Sequence, residues 1–202
     1  KEELERLYGV RVLALQADVN PGADNEAVVQ SVVDRAVAEF GRIDVLINNA
    51  GYGYFGAVEN VPMDDARNQL EVNIFGLARL CQLVLPTMRK QHSGRIINIA
   101  SVAGKSVIYY GGWYHVSKYA VEALSDALRI EMQPFGIDVV IIEPGAIKTN
   151  WGIIAADHLD AVDGAGPRWN DGAVVAVLLG FGLPLYMWAA WAAGAVDAVG
   201  AM

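Results

Sequence analysis

The sequence is poor in the residues that several protein classes require. It has one cysteine, Cys81, so it can form no disulfide within the chain, which suits a reducing cytoplasm. Its three histidines lie far apart and have no metal-ligand spacing, so we expect no metal site. Lysine and arginine form no cluster and the net charge is −8, which argues against a nucleic acid or an anionic membrane surface as the main partner.

The chain is instead rich in apolar residues. They make up 54% of it and charged residues 19%, a balance typical of a folded domain with a sizeable core. Residues 172–196 contain no charged residue and are numerous enough to cross a bilayer. Because two glycines and Pro184 interrupt this run and no basic residue follows it, we expect a buried or disordered tail, and a membrane-attached protein is the alternative. We therefore divide the chain into a core of residues 1–166 and an apolar tail of residues 167–202.

Apolar segments that suit buried strands alternate with helical patterns along the core. The predicted strands are residues 10–19, 43–48, 95–100 and 137–144. The predicted helices are one that Asp24 caps and that runs to Phe40 before Gly41, then residues 63–90 and 113–133. Because the strands are apolar throughout, this alternation predicts an α/β fold with a parallel sheet covered on both faces. Such sheets bind ligands beyond the carboxyl ends of their strands.

The segment "GYGYFG", residues 51–56, matches the glycine pattern of dinucleotide-binding loops. That pattern needs a helix that begins within the glycines, so that the helix N-terminus meets the pyrophosphate. Here "AVENVP" precedes the next helix, and the acidic residue expected about 20 positions on would be Glu71, inside a helix. We therefore predict that these glycines let the chain turn sharply beside a ligand and do not hold its phosphates.

Tyr114 and Lys118 are four positions apart at the start of a predicted helix, so their side chains should be neighbours. An isolated pair with this spacing is ordinarily a surface contact. Here Ser101 follows a strand 13 residues before Tyr114, and Asn73 is a polar residue within an apolar helical stretch. Two further strands end in short motifs, "NNAG" (residues 48–51) and "EPGAIKT" (residues 143–149). Together these features predict one catalytic constellation at the carboxyl ends of the strands.

With these motifs, residues 5–165 resemble the short-chain dehydrogenase/reductase family. The segments "NNAGYGYFGAVE", "VNIFG", "SVAG" and "EPGAIKT" are most similar to its steroid- and retinol-dehydrogenase-like branch. The resemblance implies a Rossmann-type doubly wound parallel sheet and hydride transfer between NAD or NADP and a small-molecule alcohol or ketone. It also implies a homo-oligomer formed through the helices at 63–90 and 113–133, where small residues such as Ala123 would allow close approach.

The resemblance further implies roles for individual residues. Tyr114 would be the acid/base, Lys118 its activator and a ribose ligand, and Ser101 the partner of the substrate oxygen. Asn73 would hold a water in the proton relay. The cofactor would lie against three groups of residues: Asp18 and Val19 by the adenine, Asn48, Ala50 and Gly51 along the ribose, and Pro144, Gly145, Ile147 and Thr149 beside the nicotinamide.

The chemistry of these residue types supports the first three roles independently. A free phenol has a pKa of about 10, too high to exchange a proton readily near neutrality. A neighbouring ammonium favours the phenolate, so we expect Lys118 to lower the pKa of Tyr114. Ser101 can donate a hydrogen bond to the substrate oxygen, whose charge changes as the hydride moves. His115 lies between the pair in sequence but points elsewhere on a helix, so we expect it to be structural or interfacial.

The chain also departs from the family. A complete member would begin with a strand, a glycine-rich turn, a helix and a second strand, and we expect a partial chain that starts just after them. The resemblance places the missing first strand between those at 10–19 and 43–48, which would then pair directly or leave an open edge. The family's last elements are unrecognisable after residue 166. A nicotinamide-dependent oxidoreductase is the first hypothesis, and a non-catalytic relative that acts by pairing with another subunit is the alternative.

Overall fold

Helices and strands alternate along the chain, as its apolar pattern predicts. The structure is a computed structural model that describes residues 1–19, 26–145 and 147. Its α-helices are α1 (Glu2–Tyr8), α2 (Glu26–Phe40), α3 (Met63–Leu70), α4 (Leu77–Gln91) and α5 (Gly112–Met132). Its strands are β1 (Val45–Asn48), β2 (Gly94–Ile99) and β3 (Ile137–Ile142). A π-helical turn, Glu71–Gly76, joins α3 to α4, and 3-10 turns lie at Val102–Gly104 and Gln133–Phe135. Helices are present in all three predicted segments of the core, the first described from Glu26 onward and the second divided in two.

Local chemistry sets the bounds of these helices. α2 stops at Gly41, whose φ of 78° lies in the left-handed region that glycine adopts without strain. α3 begins directly after Pro62, a residue suited to the start of a helix. The prediction of one uninterrupted helix over residues 63–90 is wrong in one detail, because the π-helical turn interrupts it around Asn73. Turns of this kind are frequent at functional sites.

The three strands form one parallel sheet in the order β1-β2-β3. Its register places Ile97 beside both Ile47 and Val140. Helices α4 and α5 pack against one face of the sheet, and α2 adds Val33 to the same core. Cys81 of α4 is buried there, which raises the pKa of its thiol to about 11 and leaves it a packing residue. The parallel sheet and its helices confirm the α/β fold class.

The opposite face of the sheet is exposed in the described part of the chain. Alternate residues of each strand point to this side, and Val45 and Ile47 of β1 are 49% and 59% exposed. Val140 and Ile142 of β3 are exposed as well. The expectation of a sheet covered on both faces is therefore wrong for these residues, because α2, α4 and α5 all pack on the other side.

Residues 9–19 follow α1 without forming a strand, so the strand predicted at 10–19 is wrong. An apolar run becomes a strand only where it can join a ladder of backbone hydrogen bonds. Among the described residues β1 pairs with β2 alone, which leaves its other edge open. The run is still held at its end: a Cβ added to Gly76 would lie 2.2 Å from the carbonyl oxygen of Val19. Glycine at that position therefore lets the backbone of Val19 cross the start of α4.

Some predictions lie outside the described residues. These are the helix cap Asp24, the cofactor contact Thr149 and the whole of the 167–202 tail with its uncharged run. Within the described ranges, none of the helices combines the length and apolar character that crossing a bilayer requires.

Candidate active site

Tyr114 and Lys118 lie on consecutive turns of α5, and each is only 8% exposed. The helical spacing brings the Lys118 Nζ atom to 5.7 Å from the centroid of the Tyr114 ring. Lys118 Nζ also donates to the carbonyl of Ile99 at 2.8 Å, so the end of β2 fixes the amine. Ser101 follows β2, and its hydroxyl is hydrogen-bonded to the side chain of Tyr114. The structure therefore brings these three predicted residues together.

Ser101 is fixed from two further sides. Its Oγ accepts a hydrogen bond from the Ala103 N–H at 3.1 Å, which caps the 3-10 turn that follows β2. The next residue, Val102, donates its N–H to the carbonyl of Pro144 at 3.1 Å. The chain segments that leave β2 and β3 are thus joined beside Tyr114.

Burial shifts the pKa of both ionisable groups. It raises the pKa of Tyr114 above 10.0, and the side-chain hydrogen bond with Ser101 lowers it by a smaller amount. It lowers the pKa of Lys118 from 10.5 to about 8. The expectation that Lys118 lowers the pKa of Tyr114 is therefore not met in this structure, because the loss of hydration is the largest effect. Ser101 is the group that favours the phenolate.

Asn73 lies buried in the π-helical turn. Its Oδ1 accepts from the Tyr52 N–H at 3.0 Å, and its Nδ2 donates to the Tyr52 carbonyl at 2.9 Å and to Ser117 Oγ at 3.0 Å. A Cβ added to Gly51 would lie 3.0 Å from Asn73 Oδ1, so glycine allows this close approach. Because both amide hydrogens are used, a relay water could bond this side chain only at the remaining lone pair of Oδ1. The relay role stays a prediction.

The residues predicted beside the cofactor follow the ends of β1 and β3. Those that are exposed are Ala50, Gly51, Gly145 and Ile147, and Pro144 is half-buried. Asn48 differs, because its Nδ2 donates to Asn98 Oδ1 at 2.9 Å and lies 3.3 Å from Cys81 Sγ. Its side chain therefore faces the protein interior, and a contact with a ligand would have to come from its backbone.

Asp18 and Val19, predicted beside the adenine, end the irregular run that follows α1. Asp18 is exposed and Val19 half-buried. The carbonyl of Val19 approaches Gly76, the last residue of the π-helical turn. The two residues thus lie beside the turn that carries Asn73.

The glycines of residues 51–56 are not followed by the helix that a dinucleotide-binding loop requires. The next helix begins only at Met63. Three backbone N–H groups of this segment are already bonded within the protein: Tyr52 to Asn73, Tyr54 to Gln69, and Gly56 to the carbonyl of Tyr110. The segment therefore lacks the helix start that the dinucleotide motif needs, and the prediction that it does not hold phosphates stays a prediction.

Two buried polar residues of the site were not foreseen. Gln69 accepts from the Tyr54 N–H, and Ser117 donates to the Tyr114 carbonyl at 2.7 Å while it accepts from Asn73. Gln69 and Asn73 are four positions apart and so share a helix face, but Gln69 lies in the polar segment Met63–Leu70, where one more polar residue gives no signal.

The family model described as short chain dehydrogenase matches residues 1–157. The chain belongs to this family. The 3-ketodihydrosphingosine reductase of Bacteroides thetaiotaomicron is 44% identical over 127 residues, which are 63% of this chain and 47% of that protein. The solved structure of NAD+-bound xylitol dehydrogenase aligns with a TM-score of 0.73 at 34% identity, over 89% of this chain and 69% of that one. A metagenomic short-chain oxidoreductase in complex with NADP aligns with a TM-score of 0.65 at 26% identity, over 73% of this chain and 67% of that one.

These comparisons agree with the α/β fold and the parallel sheet. The chain spans about half the length of the curated relatives it matches, with 40%, 47% and 58% of three of them covered. The site residues of β1, β2 and α5 all lie within the part that the family model matches.

Proposed function

We propose that this short-chain dehydrogenase is an oxidoreductase that transfers a hydride between NAD or NADP and an alcohol or carbonyl substrate. The observation that carries the proposal is the group formed by Tyr114, Ser101 and Lys118, which are gathered at the end of β2. A phenol, a hydroxyl and an ammonium at one place can move a proton to or from an oxygen atom and stabilise its changing charge.

Each of the three side chains has its own role at the substrate oxygen. A bound nicotinamide supplies or accepts the hydride. In the direction of reduction, the Tyr114 hydroxyl gives its proton to the carbonyl oxygen as negative charge develops there, and Ser101 donates a hydrogen bond to the same atom. In the direction of oxidation, the Tyr114 phenolate takes the proton of the alcohol. Lys118, protonated below its pKa of about 8, places a positive charge 5.7 Å from the centre of the Tyr114 ring, where it would stabilise the phenolate that begins the oxidation or is left by the reduction.

The residues present fit the nicotinamide half of such a cofactor. Ala50 and Gly51 are exposed at the end of β1, and a side chain added at Gly145 would meet open space. A flat ring and a ribose could lie against these exposed positions, and Lys118 has two amine hydrogens that Ile99 does not use. The backbone N–H groups of residues 51–56 that already have partners could not bind the diphosphate.

The substitution Tyr114→Phe tests the proposal in the full-length product of the gene. It keeps the ring and removes the hydroxyl, so we expect kcat to fall by at least the roughly 10²–10⁴ typical of acid/base groups, with cofactor binding little changed. Tyr109→Phe removes the hydroxyl of an exposed ring nearby and is the matched control. Oxidation of secondary alcohols and reduction of ketones would be followed through NADH and NADPH absorbance. Activity of Tyr114→Phe within threefold of the parent would refute the assignment.

The second candidate is a non-catalytic relative that pairs with another subunit. It is favoured by one observation: three backbone N–H groups of residues 51–56 are hydrogen-bonded to acceptors within the protein. Both candidates predict a homo-oligomer through α5. In support, α5 carries an exposed stripe of mostly apolar side chains at helical spacing: Val116, Tyr119, Ala123, Ala127 and Ile130. The single buried cysteine also supports the proposal of a cytoplasmic protein.

A further inference from the structure

His115 is a buried residue of α5 with both ring nitrogens bonded to the loop that precedes the helix. Its Nε2 lies 3.0 Å from the backbone nitrogen of Ile108, and its Nδ1 lies 2.9 Å from the carbonyl oxygen of Ala103. Because a backbone N–H can only donate and a carbonyl can only accept, Nε2 must be the acceptor and Nδ1 must carry the proton. The neutral imidazole in this tautomer is the form that makes both bonds.

Ala103 connects His115 to the catalytic constellation. Its carbonyl accepts from His115 Nδ1, and its N–H donates to Ser101 Oγ at 3.1 Å. Ser101 is in turn hydrogen-bonded to Tyr114. A continuous series of hydrogen bonds therefore runs from the imidazole through one residue to the hydroxyl beside the phenol.

The same loop holds a strained residue. Residues 103–111, which we name the site loop, include Tyr110 with a φ of 61°, a left-handed conformation that is unfavourable for a residue with a side chain. The carbonyl of Tyr110 accepts from the Gly56 N–H at 2.8 Å. A Cβ added to Gly111 would lie 2.7 Å from His115 Nε2, so glycine makes room for the imidazole. His115 and Gly56 thus both hydrogen-bond the site loop.

We propose that His115 is a positioning residue that holds the site loop and, through Ala103, sets the Ser101 hydroxyl against Tyr114. The inference rests on the proposed function, in which Ser101 bonds the substrate oxygen. Without the imidazole, the Ala103 peptide is free to turn and the strained loop can relax. Ser101 then loses the N–H that holds its Oγ, while its 3.5 Å bond to the Pro144 carbonyl and the helix and sheet that carry Tyr114 and Lys118 remain.

A double-mutant cycle in the full-length gene product tests the connection. We expect His115→Phe to lower kcat/KM by roughly 10- to 100-fold, the size expected when a catalytic group is displaced. In the Ser101→Ala background the same change should lower it by less than about twofold, because the group through which His115 acts is already absent. Equal effects of His115→Phe in both backgrounds would overturn the inference. Secondary alcohols of increasing size, with NAD and with NADP, serve as substrates.

Two variants separate positioning from general stability. His115→Asn keeps an N–H donor near the place of Nδ1, so it should recover most of the activity lost in His115→Phe. Ser125→Ala removes a buried hydroxyl of the same helix, and that hydroxyl bonds Asn98 and Val121. We expect the kcat/KM of this variant to stay within about threefold of the parent. If His115→Asn is as impaired as His115→Phe, or if Ser125→Ala is equally impaired, the inference is wrong.

Amide hydrogen exchange gives a readout that does not depend on catalysis. In His115→Phe the N–H groups of Ala103 and Ile108 should exchange at least tenfold faster, while those of the β2 core residue Ile96 keep their rate. Unchanged exchange at Ala103 and Ile108 would overturn the inference even if activity fell. If Ser101→Ala and Tyr114→Phe both leave activity intact, the proposed function fails, and the exchange rates still decide whether His115 holds the loop.

Discussion

The side chain of Asn73 hydrogen-bonds both backbone groups of Tyr52: Oδ1 accepts from the Tyr52 N–H, and Nδ2 donates to the Tyr52 carbonyl. The amide thereby fastens the segment that leaves β1 to the π-helical turn. Asn73→Leu should lower the free energy of unfolding by about 2–4 kcal/mol, because it removes three hydrogen bonds from a buried position. Urea denaturation of the 202-residue chain measures this loss. Asn68→Leu, on the exposed side of α3, is the control and should change stability by no more than about 0.5 kcal/mol.

Lys118 should make stability depend on pH between about 8 and 10.5. Its pKa is about 8 in the folded protein and 10.5 in an ordinary environment. Between those values the unfolded chain binds the proton that the folded chain lacks, so stability rises with pH. The destabilising effect of the buried charge is fully present below pH 8 and is relieved as the pH rises through this window.

The substitution Lys118→Met isolates that effect. From pH 7 to pH 10 the parent should gain roughly 2–3 kcal/mol in unfolding free energy relative to Lys118→Met. Urea denaturation at several pH values measures the difference. Lys90→Met removes an exposed lysine of α4 and controls for the loss of one positive charge. A constant difference between parent and Lys118→Met over this range would mean that the folded environment does not shift the lysine.

Gly76→Ala should detach the run that follows α1. The added methyl group would lie 2.2 Å from the Val19 carbonyl oxygen, a distance that forces backbone to move. We expect a loss of about 1–3 kcal/mol in unfolding free energy and faster tryptic cleavage at Arg11. Gly145→Ala is the matched control, because nothing lies within 4 Å of its added Cβ. Cleavage at Arg11 with the parent's rate would show that the run is held by other contacts.

The exposed stripe on α5 predicts self-association. Ala123→Glu places a carboxylate in the middle of this stripe, so it should shift the chain toward monomer in sedimentation or light scattering at micromolar concentration. Ala27→Glu, at an exposed position of α2, should leave the mass unchanged. A parent that is already monomeric, or a dimer that survives Ala123→Glu, contradicts an interface through α5.

Cofactor binding by the 202-residue chain should be weak. A diphosphate held at a helix N-terminus gains several charge-assisted hydrogen bonds, each worth roughly 1.5–3 kcal/mol, and the engaged N–H groups of residues 51–56 cannot supply them. We therefore expect no saturable binding of NADH or NADPH below about 1 mM in a fluorescence titration. The metagenomic short-chain oxidoreductase that is solved with NADP, titrated in parallel, is the reference. Micromolar binding to the 202-residue chain would mean that another segment holds the phosphates.

The chemistry of the site could be predicted because it depends on short-range spacing. Tyr114 and Lys118 share a helix, and the i to i+4 relation brings them together whatever the rest of the fold does. Ser101 could be added because it directly follows a strand, and the end of a strand fixes where the next residue lies. The positions of helices α2 and α5 could also be predicted, because both have a regular apolar face and a glycine follows α2.

The parts that failed depend on partners that the pattern of one segment does not contain. Residues 10–19 are apolar enough for a strand, but a strand forms only when it pairs with a neighbouring strand. Among the described residues, none pairs with the free edge of β1. The pKa of Tyr114 was misjudged for a related reason: proximity of Lys118 follows from the helix, whereas burial of both groups follows from tertiary packing. The hydrogen bonds of His115 could not be predicted, because they depend on the conformation of a loop, and a loop has no periodic sequence pattern.

The uncovered side of the sheet has a consequence for handling the protein. A row of isoleucine and valine side chains beside an unpaired strand edge can accept a strand from another molecule, and within the described ranges β1 presents both features at once. Molecules in which this side stays bare would therefore assemble through main-chain pairing as their concentration rises, and the assemblies would bind thioflavin T. The substitution Ile47→Lys would place a charge in the centre of this exposed face. It should oppose strand pairing between molecules and keep the chain in solution, without altering the residues around Tyr114.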